Sequence, residues 1–344
     1  MLESLQNAVV AGLLRVPSPV LSIATWPDVV VDGGTLDAQT RLLLRMMGLA
    51  RIPLMHELDP SEARKLFSTT APSLGPAPRL TRVENRRIPG PSNEIPVRIY
   101  APHGARGQLP VTVYYHGGGW VVGDLDTHDL PLRKLAHDAE TLVVSVDYRR
   151  APEHKFPAAV LDATAAYRWV RAHASTIGGD PARVAVAGDS AGGNLAAVVS
   201  QITHKADEPA PDFQLLIYPV TDLSAESRSY ELFAEGYFLE RATMRWFANL
   251  YLEDEQAARD PRASPLLAND VSGLPPAYIA TAGFDPLRDE GEAYAARLQR
   301  AKVPVELRRY PSLIHGFVAM AGAIDEAGVA FDDLATALRA GLTR

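Results

Sequence analysis

Val184-Ala-Val-Ala-Gly-Asp-Ser-Ala-Gly-Gly-Asn194 is the stretch on which the reading of this chain turns. Its first four residues, small and apolar, predict a buried strand, and Gly188-Asp189-Ser190-Ala191-Gly192 predicts a sharp turn. The segment from Gly193 to about Lys205 has the composition and apolar spacing of a helix. Strand, G-x-S-x-G turn and helix make a nucleophile elbow, so tight that Ser190 is strained and its hydroxyl stands clear of the backbone. Gly188 and Gly192 are needed because a Cβ at either would meet the neighbouring strand or helix. The helix behind Ser190 aims its N-terminal amides at any anion formed on an attacked substrate. A bare G-x-S-x-G arises by chance in roughly one chain in ten of this length. The flanking strand and helix, and partners elsewhere in the chain, must therefore carry the reading.

Working outward, residues 1 to about 75 are helical in pattern, broken at Pro17, Pro19, Pro27, Pro53 and Pro60. Leu36 to Met47 and Pro60 to Phe67 predict short amphipathic helices, the second with Asp59 as N-cap. Ala71-Pro-Ser-Leu-Gly-Pro-Ala-Pro78 is a Pro-rich link. Arg82 to Ile88 and Ile95 to Tyr100 flank a turn-rich stretch and predict an antiparallel hairpin. Strands and helices then alternate. Strands are expected at Val111 to Tyr115, Leu142 to Val146, Phe213 to Tyr218, Ala277 to Thr281 and Val305 to Tyr310. Helices are expected at Thr127 to Ala139, Pro157 to Ala174, Asp289 to Ala301 and Asp325 to Leu342. This alternation implies an α/β fold with a mostly parallel sheet covered on both faces and functional groups at the C-terminal strand ends. Almost sixty residues between Tyr218 and Ala277 break the rhythm with aromatic-rich helical patterns, and a loop that long is usually a functional insertion.

Composition narrows the classes. The chain has 344 residues, 47% apolar and 22% charged, in the range of a globular enzyme. A net charge of −7 without a basic run, its arginine pairs scattered, argues against nucleic acid or an anionic membrane as partner. There is no cysteine, so disulfides, thiolate metal sites and a cysteine nucleophile are excluded. The N-terminal apolar run from Ala8 to Leu14 is short and fits an amphipathic helix better than a signal peptide. No stretch approaches 18 uninterrupted apolar residues, so no membrane insertion is expected and the default location is cytoplasmic.

A serine hydroxyl needs a base within hydrogen-bond reach and a carboxylate to orient that base. In this topology the acid and then the histidine follow the serine. Only His204 and His315 lie beyond Ser190. His204 belongs to the elbow helix or its end, whereas His315 follows the last strand in Tyr310-Pro-Ser-Leu-Ile-His-Gly-Phe317 and is the expected base. Asp285, in Gly283-Phe-Asp-Pro-Leu-Arg-Asp-Glu290, is the best acid. Asp289 and Glu290 read more simply as helix first-turn acids, and Asp222 is an outsider. His116-Gly-Gly-Gly-Trp120 follows a strand and fits an oxyanion loop, with Gly118, Gly119 and Ala191 as donors and His116 as a brace.

Together His116-Gly-Gly-Gly119, Asp147-Tyr-Arg-Arg-Ala-Pro-Glu-His-Lys-Phe-Pro157, Gly188-Asp-Ser-Ala-Gly-Gly-Asn194, Asp285-Pro-Leu-Arg-Asp-Glu290 and His315-Gly-Phe317 resemble the hormone-sensitive-lipase-like esterases (bacterial lipolytic family IV) of the α/β-hydrolase superfamily. The resemblance covers roughly residues 80 to 320. It implies an α/β-hydrolase fold with an eight-stranded, mostly parallel sheet, and a triad of Ser190, Asp285 and His315. It also implies an oxyanion hole of Gly118, Gly119 and Ala191. A helical cap would be built from residues 1–78 and the 222–270 insertion, leaving 79–221 and 271–344 as the catalytic domain. The substrate implied is a small carboxylic ester of short to medium chain length, hydrolysed without cofactor or metal. A homodimer is left open. The alternatives are a non-catalytic ligand-binding protein on the same scaffold, or an amidase or lactonase using the same triad.

Arg150 departs from the leucine usual in the family, with an effect expected only on local packing. Asp124, Asp126, His128 and Asp129 superficially suggest metal ligands but fall where a helix N-cap is expected. Asp147 reads as a brace for neighbouring loops, and Asp189 as part of the elbow's packing or surface. Trp246 and Phe247 read as cap core first and pocket lining second.

Overall fold

The computed structural model describes residues 27–70, 77–104, 107–206 and 208–343. The expected Ala8 to Leu14 helix and most of the Pro-rich link lie outside them. The chain runs β1 (Val30–Val31), β2 (Gly34–Thr35), α1 (Ala38–Leu49), α2 (Pro60–Thr70), β3 (Leu80–Ile88), β4 (Ile95–Pro102) and β5 (Leu109–Tyr115). It continues through α3 (Asp129–Asp138), β6 (Leu142–Val146), α4 (Ala158–His173), β7 (Gly179–Asp189), α5 (Ala191–Lys205) and β8 (Phe213–Ile217). The insertion contains α6 (Arg228–Leu232) and α7 (Arg241–Tyr251). Then follow β9 (Ala277–Phe284), α8 (Arg288–Arg300), β10 (Val305–Ile314), α9 (Phe317–Met320) and α10 (Asp325–Leu342).

Eight strands form one sheet in the order β10-β9-β8-β7-β5-β6-β4-β3. β3–β4 and β4–β6 pair antiparallel, and all other neighbours pair parallel. The strands sort their side chains by alternation, the period that a pleated backbone imposes. Val111, Val113, Val184 and Val186 enter one core with α4, α5 and α8. Tyr114, Ala185 and Ala187 enter the other, with α3 and α10. Two covered faces explain why β6, β8 and β9 are apolar almost throughout and fully buried. Because β5, β7, β8, β9 and β10 are parallel, the loops bearing the HGGG, elbow, Asp285 and His315 motifs all leave the same edge.

Three local expectations change. The helical reading of the N-terminal region fails at Val30–Thr35, where Asp32 (φ 52°) and Gly33 (φ 78°) close a two-residue hairpin. An Asp-Gly pair suits a turn with two positive φ angles, so the signal was present in the sequence. The elbow helix begins at Ala191 rather than Gly193. The last strand runs to Ile314, with its register broken between Tyr310 and Ile314 around Pro311, which has no N–H to donate. Asp59 does cap α2, accepting the amides of Ser61 (2.8 Å) and Glu62 (3.2 Å).

The hairpin rests on the catalytic end of the sheet. Asp37 N donates to Ser312 O (3.0 Å), and Gly34 approaches Pro311 so closely that a Cβ would lie 2.9 Å from its carbonyl oxygen.

Candidate active site

Ser190 takes φ 56° and ψ −119°, a strained conformation for a residue with a Cβ. The glycines around it leave the turn no alternative. A Cβ on Gly192 would sit 1.9 Å from Tyr115 O, and one on Gly188 would sit 2.3 Å from the Gly192 backbone. The amide of Ser190 donates to Ile217 O (2.9 Å), and its carbonyl accepts from Asn194 N (3.0 Å) and Val220 N (3.3 Å). The elbow is thus stitched to the turn after β8. On that turn, Tyr218 lies against the His315 ring, with ring centroids 4.4 Å apart.

Asp285 is fully buried. Its Oδ2 meets Nδ1 of His315 at 2.7 Å, and its Oδ1 accepts the amide of Leu287 at 2.9 Å. The contact selects the Nδ1–H tautomer and leaves Nε2 as the proton acceptor. Of the acids weighed from the sequence, Asp285 is the one bonded to His315 among the described residues. Asp222 is occupied by Ser224 N and Oγ (2.8 and 2.7 Å), and Asp289 by Ser229 N and Arg288 Nε (2.9 and 2.8 Å). His204 is exposed near the C-terminal end of α5, about 20 Å along the helix from the elbow at 1.5 Å per residue.

The glycine loop after β5 lies beside the elbow. Gly118 (φ 114°) and Gly119 (φ 57°) have amides with no acceptor among the described residues, and Ala191 N opens α5. Val121 N and Val122 N donate to Gly118 O (3.0 and 2.9 Å) and fix the orientation of the loop. A Cβ on Gly119 would lie 2.2 Å from the ring of Phe247 on α7, so the insertion presses directly on this loop. Trp120 stacks on Tyr251 at 4.2 Å with 2° between the planes.

Burial, and then the neighbouring His128, push the His116 imidazole down to about 3, so it is neutral. Its Nδ1 donates to Gly117 O (2.8 Å), the ring stacks on Tyr148 at 4.3 Å, and the Tyr148 hydroxyl donates to His116 O (2.7 Å). These contacts make it a loop brace.

A profile of the alpha/beta hydrolase fold family matches residues 112–319. The chain belongs to that family. The α/β hydrolase is 45% identical over 349 aligned residues to the carboxylic ester hydrolase LipN of Mycobacterium tuberculosis, covering 98% of this chain and 92% of that protein. It superposes on LAE6, an α/β-hydrolase enzyme from the metagenome of Lake Arreo, Spain, with a TM-score of 0.87 at 44% identity, covering 90% and 99% of the two chains. A thermostable esterase from Pseudomonas putida gives 0.86 at 38% identity, covering 91% and 99%. The hormone-sensitive-lipase-like affiliation expected from the motifs is borne out.

Several residues of the hydrolase do more than the sequence suggested. Asp189 is no surface residue. Its Oδ1 accepts the Tyr114 hydroxyl (2.8 Å) and Gly117 N (2.9 Å), and His128 Nε2 lies 3.4 Å away. Burial opposes its charge, but His128 and the Tyr114 hydroxyl outweigh burial and hold the carboxyl below its ordinary range. Elbow and glycine loop are joined through this carboxylate. Arg150 does more than fill space: its guanidinium bonds the carbonyl of Gly123, which packs against the His116 ring and the Gly117 carbonyl. Asp126 and Asp129 both pair with Arg98 (2.8 and 3.0 Å), while Asp124 accepts the amides of Asp126 and Thr127. Asp147 pairs with Arg150 at 3.8 Å. Arg288, in the acid's own motif, reaches Asp32 of the hairpin at 2.8 Å.

Proposed function

We propose that this α/β hydrolase is a serine carboxylesterase that cleaves short- to medium-chain esters through an acyl-enzyme. The observation that carries the reading is the 2.7 Å contact from buried Asp285 to His315, at the same end of the sheet as a serine held at positive φ. Esterase relatives at 38–45% identity support it.

Ser190 Oγ attacks the ester carbonyl carbon while His315 Nε2 takes its proton. The amides of Gly118, Gly119 and Ala191 receive the oxyanion, each donor worth about 2.7–4 kcal/mol of transition-state stabilisation. The imidazolium, held by Asp285, then gives the proton to the departing alkoxide oxygen, and the C–O bond breaks to leave an acyl-serine. Water attacks the acyl carbon, its proton passing to His315 and on to Ser190 Oγ as the acid leaves.

The described part of residues 1–78 (27–70 and 77–78) and residues 222–270 form the cap in this reading. Its support is the His56 Nδ1 contact to Thr243 Oγ1 (2.9 Å), which ties the two segments together, and Phe247 seated on Gly119. Ser190→Ala is expected to abolish p-nitrophenyl butyrate turnover and labelling by a fluorophosphonate, with the far-UV circular dichroism unchanged. Retained turnover would sink the assignment. A p-nitrophenyl ester series from acetate to palmitate is expected to peak at the short to medium end.

A further inference from the structure

Glu290 stands in the first turn of α8, 3% exposed, and no basic side chain pairs with it among the described residues. A first-turn acid it is, as the sequence suggested, but its carboxyl is also bonded away from its own helix. Its Oε1 accepts the amides of Thr221 (2.6 Å) and Asp222 (3.2 Å), and its backbone carbonyl accepts the Thr221 hydroxyl (2.8 Å). Those two residues end the turn in which Tyr218 lies on His315 and Val220 donates to Ser190 O. Glu290 therefore ties the helix behind Asp285 to the turn touching both the base and the nucleophile.

The second oxygen, Oε2, makes no hydrogen bond of good geometry among the described residues, and the Tyr230 phenol is the hydrogen-bonding side chain set against the carboxyl. The groups facing this carboxyl are the carboxylates of Asp222 and Asp285 and the phenol of Tyr230 on α6. An ionised Glu290 would add a buried charge beside two like charges with no counter-ion, an arrangement that favours the neutral acid. Burial is the largest influence and pushes its value from 4.5 up to about 8. The two amides work against that shift, and Asp222 and Asp285 work with it.

We propose that Glu290 is a positioning residue of the esterase site: through the Thr221 and Asp222 amides it clamps the Tyr218–Asp222 turn to the helix behind Asp285, and its ionisation, which sets a third buried carboxylate against Asp222 and Asp285, forces that turn and the Asp285 loop apart and lowers turnover. The proposal rests on the esterase reading and adds an alkaline limb to it. A carboxyl whose folded value lies above its unfolded one stabilises the fold fully below the unfolded value. That contribution is lost as pH rises through the folded value, so stability and turnover weaken toward the same alkaline side.

The test is kcat and KM for p-nitrophenyl butyrate from about pH 6 to about pH 10 on wild type, Glu290→Ala, Glu290→Gln and Asp222→Asn. Wild-type kcat is expected to fall above about pH 8. Glu290→Ala is expected to lose about tenfold in kcat at neutral pH with little change in KM. Glu290→Gln, which keeps an acceptor but cannot ionise, restores most of that loss and lacks the limb. Asp222→Asn removes a facing charge, keeps the cap on Ser224, and moves the limb to lower pH. A flat wild-type profile, a limb that persists in Glu290→Gln, or one that stays in place in Asp222→Asn overturns the clamp. If the Glu290 variants do not fold, Asp222→Asn decides. Fluorophosphonate labelling of wild type separates the two readings. No labelling removes the esterase assignment, whereas labelling with an unmoved limb removes only the clamp.

Discussion

The elbow with its glycine loop and the 222–270 insertion border one site but are held by different forces. The elbow is defined by contact: Gly188, Gly192 and Gly117 each lie where a Cβ would come within 2.3 Å of another atom. At its centre the buried Asp189 is bonded to both Tyr114 and Gly117. The insertion adds broad aromatic surfaces and partly exposed charges to a few buried polar ties, such as Asn194 Nδ2 to Ala263 O (2.8 Å). Trp120 stacks on Tyr251, Phe247 covers Gly119, and Glu226 bridges Arg241 and Arg245 across partly exposed side chains. The first region has one geometry available. The second leans partly on side chains in contact with solvent, where a substitution is expected to cost less.

The largest effect that would break this contrast lies on the rigid side. Asp285→Asn keeps an acceptor for Leu287 N but no longer holds His315 in the Nδ1–H tautomer. A loss of about 10⁴-fold in kcat with KM little changed is expected from steady-state kinetics. A loss below about tenfold would mean another group orients His315. Next is Gly192→Ala, where the new methyl would lie 1.9 Å from a carbonyl oxygen of β5. Urea titration is expected to show at least about 3 kcal/mol of destabilisation, since the neighbour is backbone and cannot swing aside. Smallest is Glu226→Ala in the insertion, which removes a pair of partly exposed ion bridges. A change of at most about 1 kcal/mol is expected, shrinking further at high salt. A larger, salt-insensitive loss would show that the insertion is as tightly determined as the elbow.

Much of the site could be read from the sequence because its requirements are local. A glycine needed for a tight turn, or a strand-end motif before a helix, carries its reason within a few residues; Ser190 and Asp285 stand in such motifs, and the order of acid and histidine after the serine leaves His315 as the base. Asp32-Gly33 was equally local, but a two-residue strand on either side is too short to show a period. The braces were not legible. Asp189 and Glu290 looked like ordinary acids of a turn and a helix start, because Gly117 and Thr221, which they hold, are some seventy residues away. Arg150 looked like a packing change for the same reason: its acceptor is on a different loop.

By itself the sequence determined the strand–turn–helix units, their order, the family, and which hydroxyl, imidazole and carboxylate could meet at one sheet edge. These follow from backbone sterics and from alternation of apolar residues, which act over a few positions. Only the tertiary structure decided how that edge is braced, through Asp189 under the glycine loop, the Asp32 hairpin on Arg288 and Glu290 under the nucleophile's turn. Such pairings depend on distances set by the whole sheet, and burial then alters the charge of a group that looked ordinary in the chain.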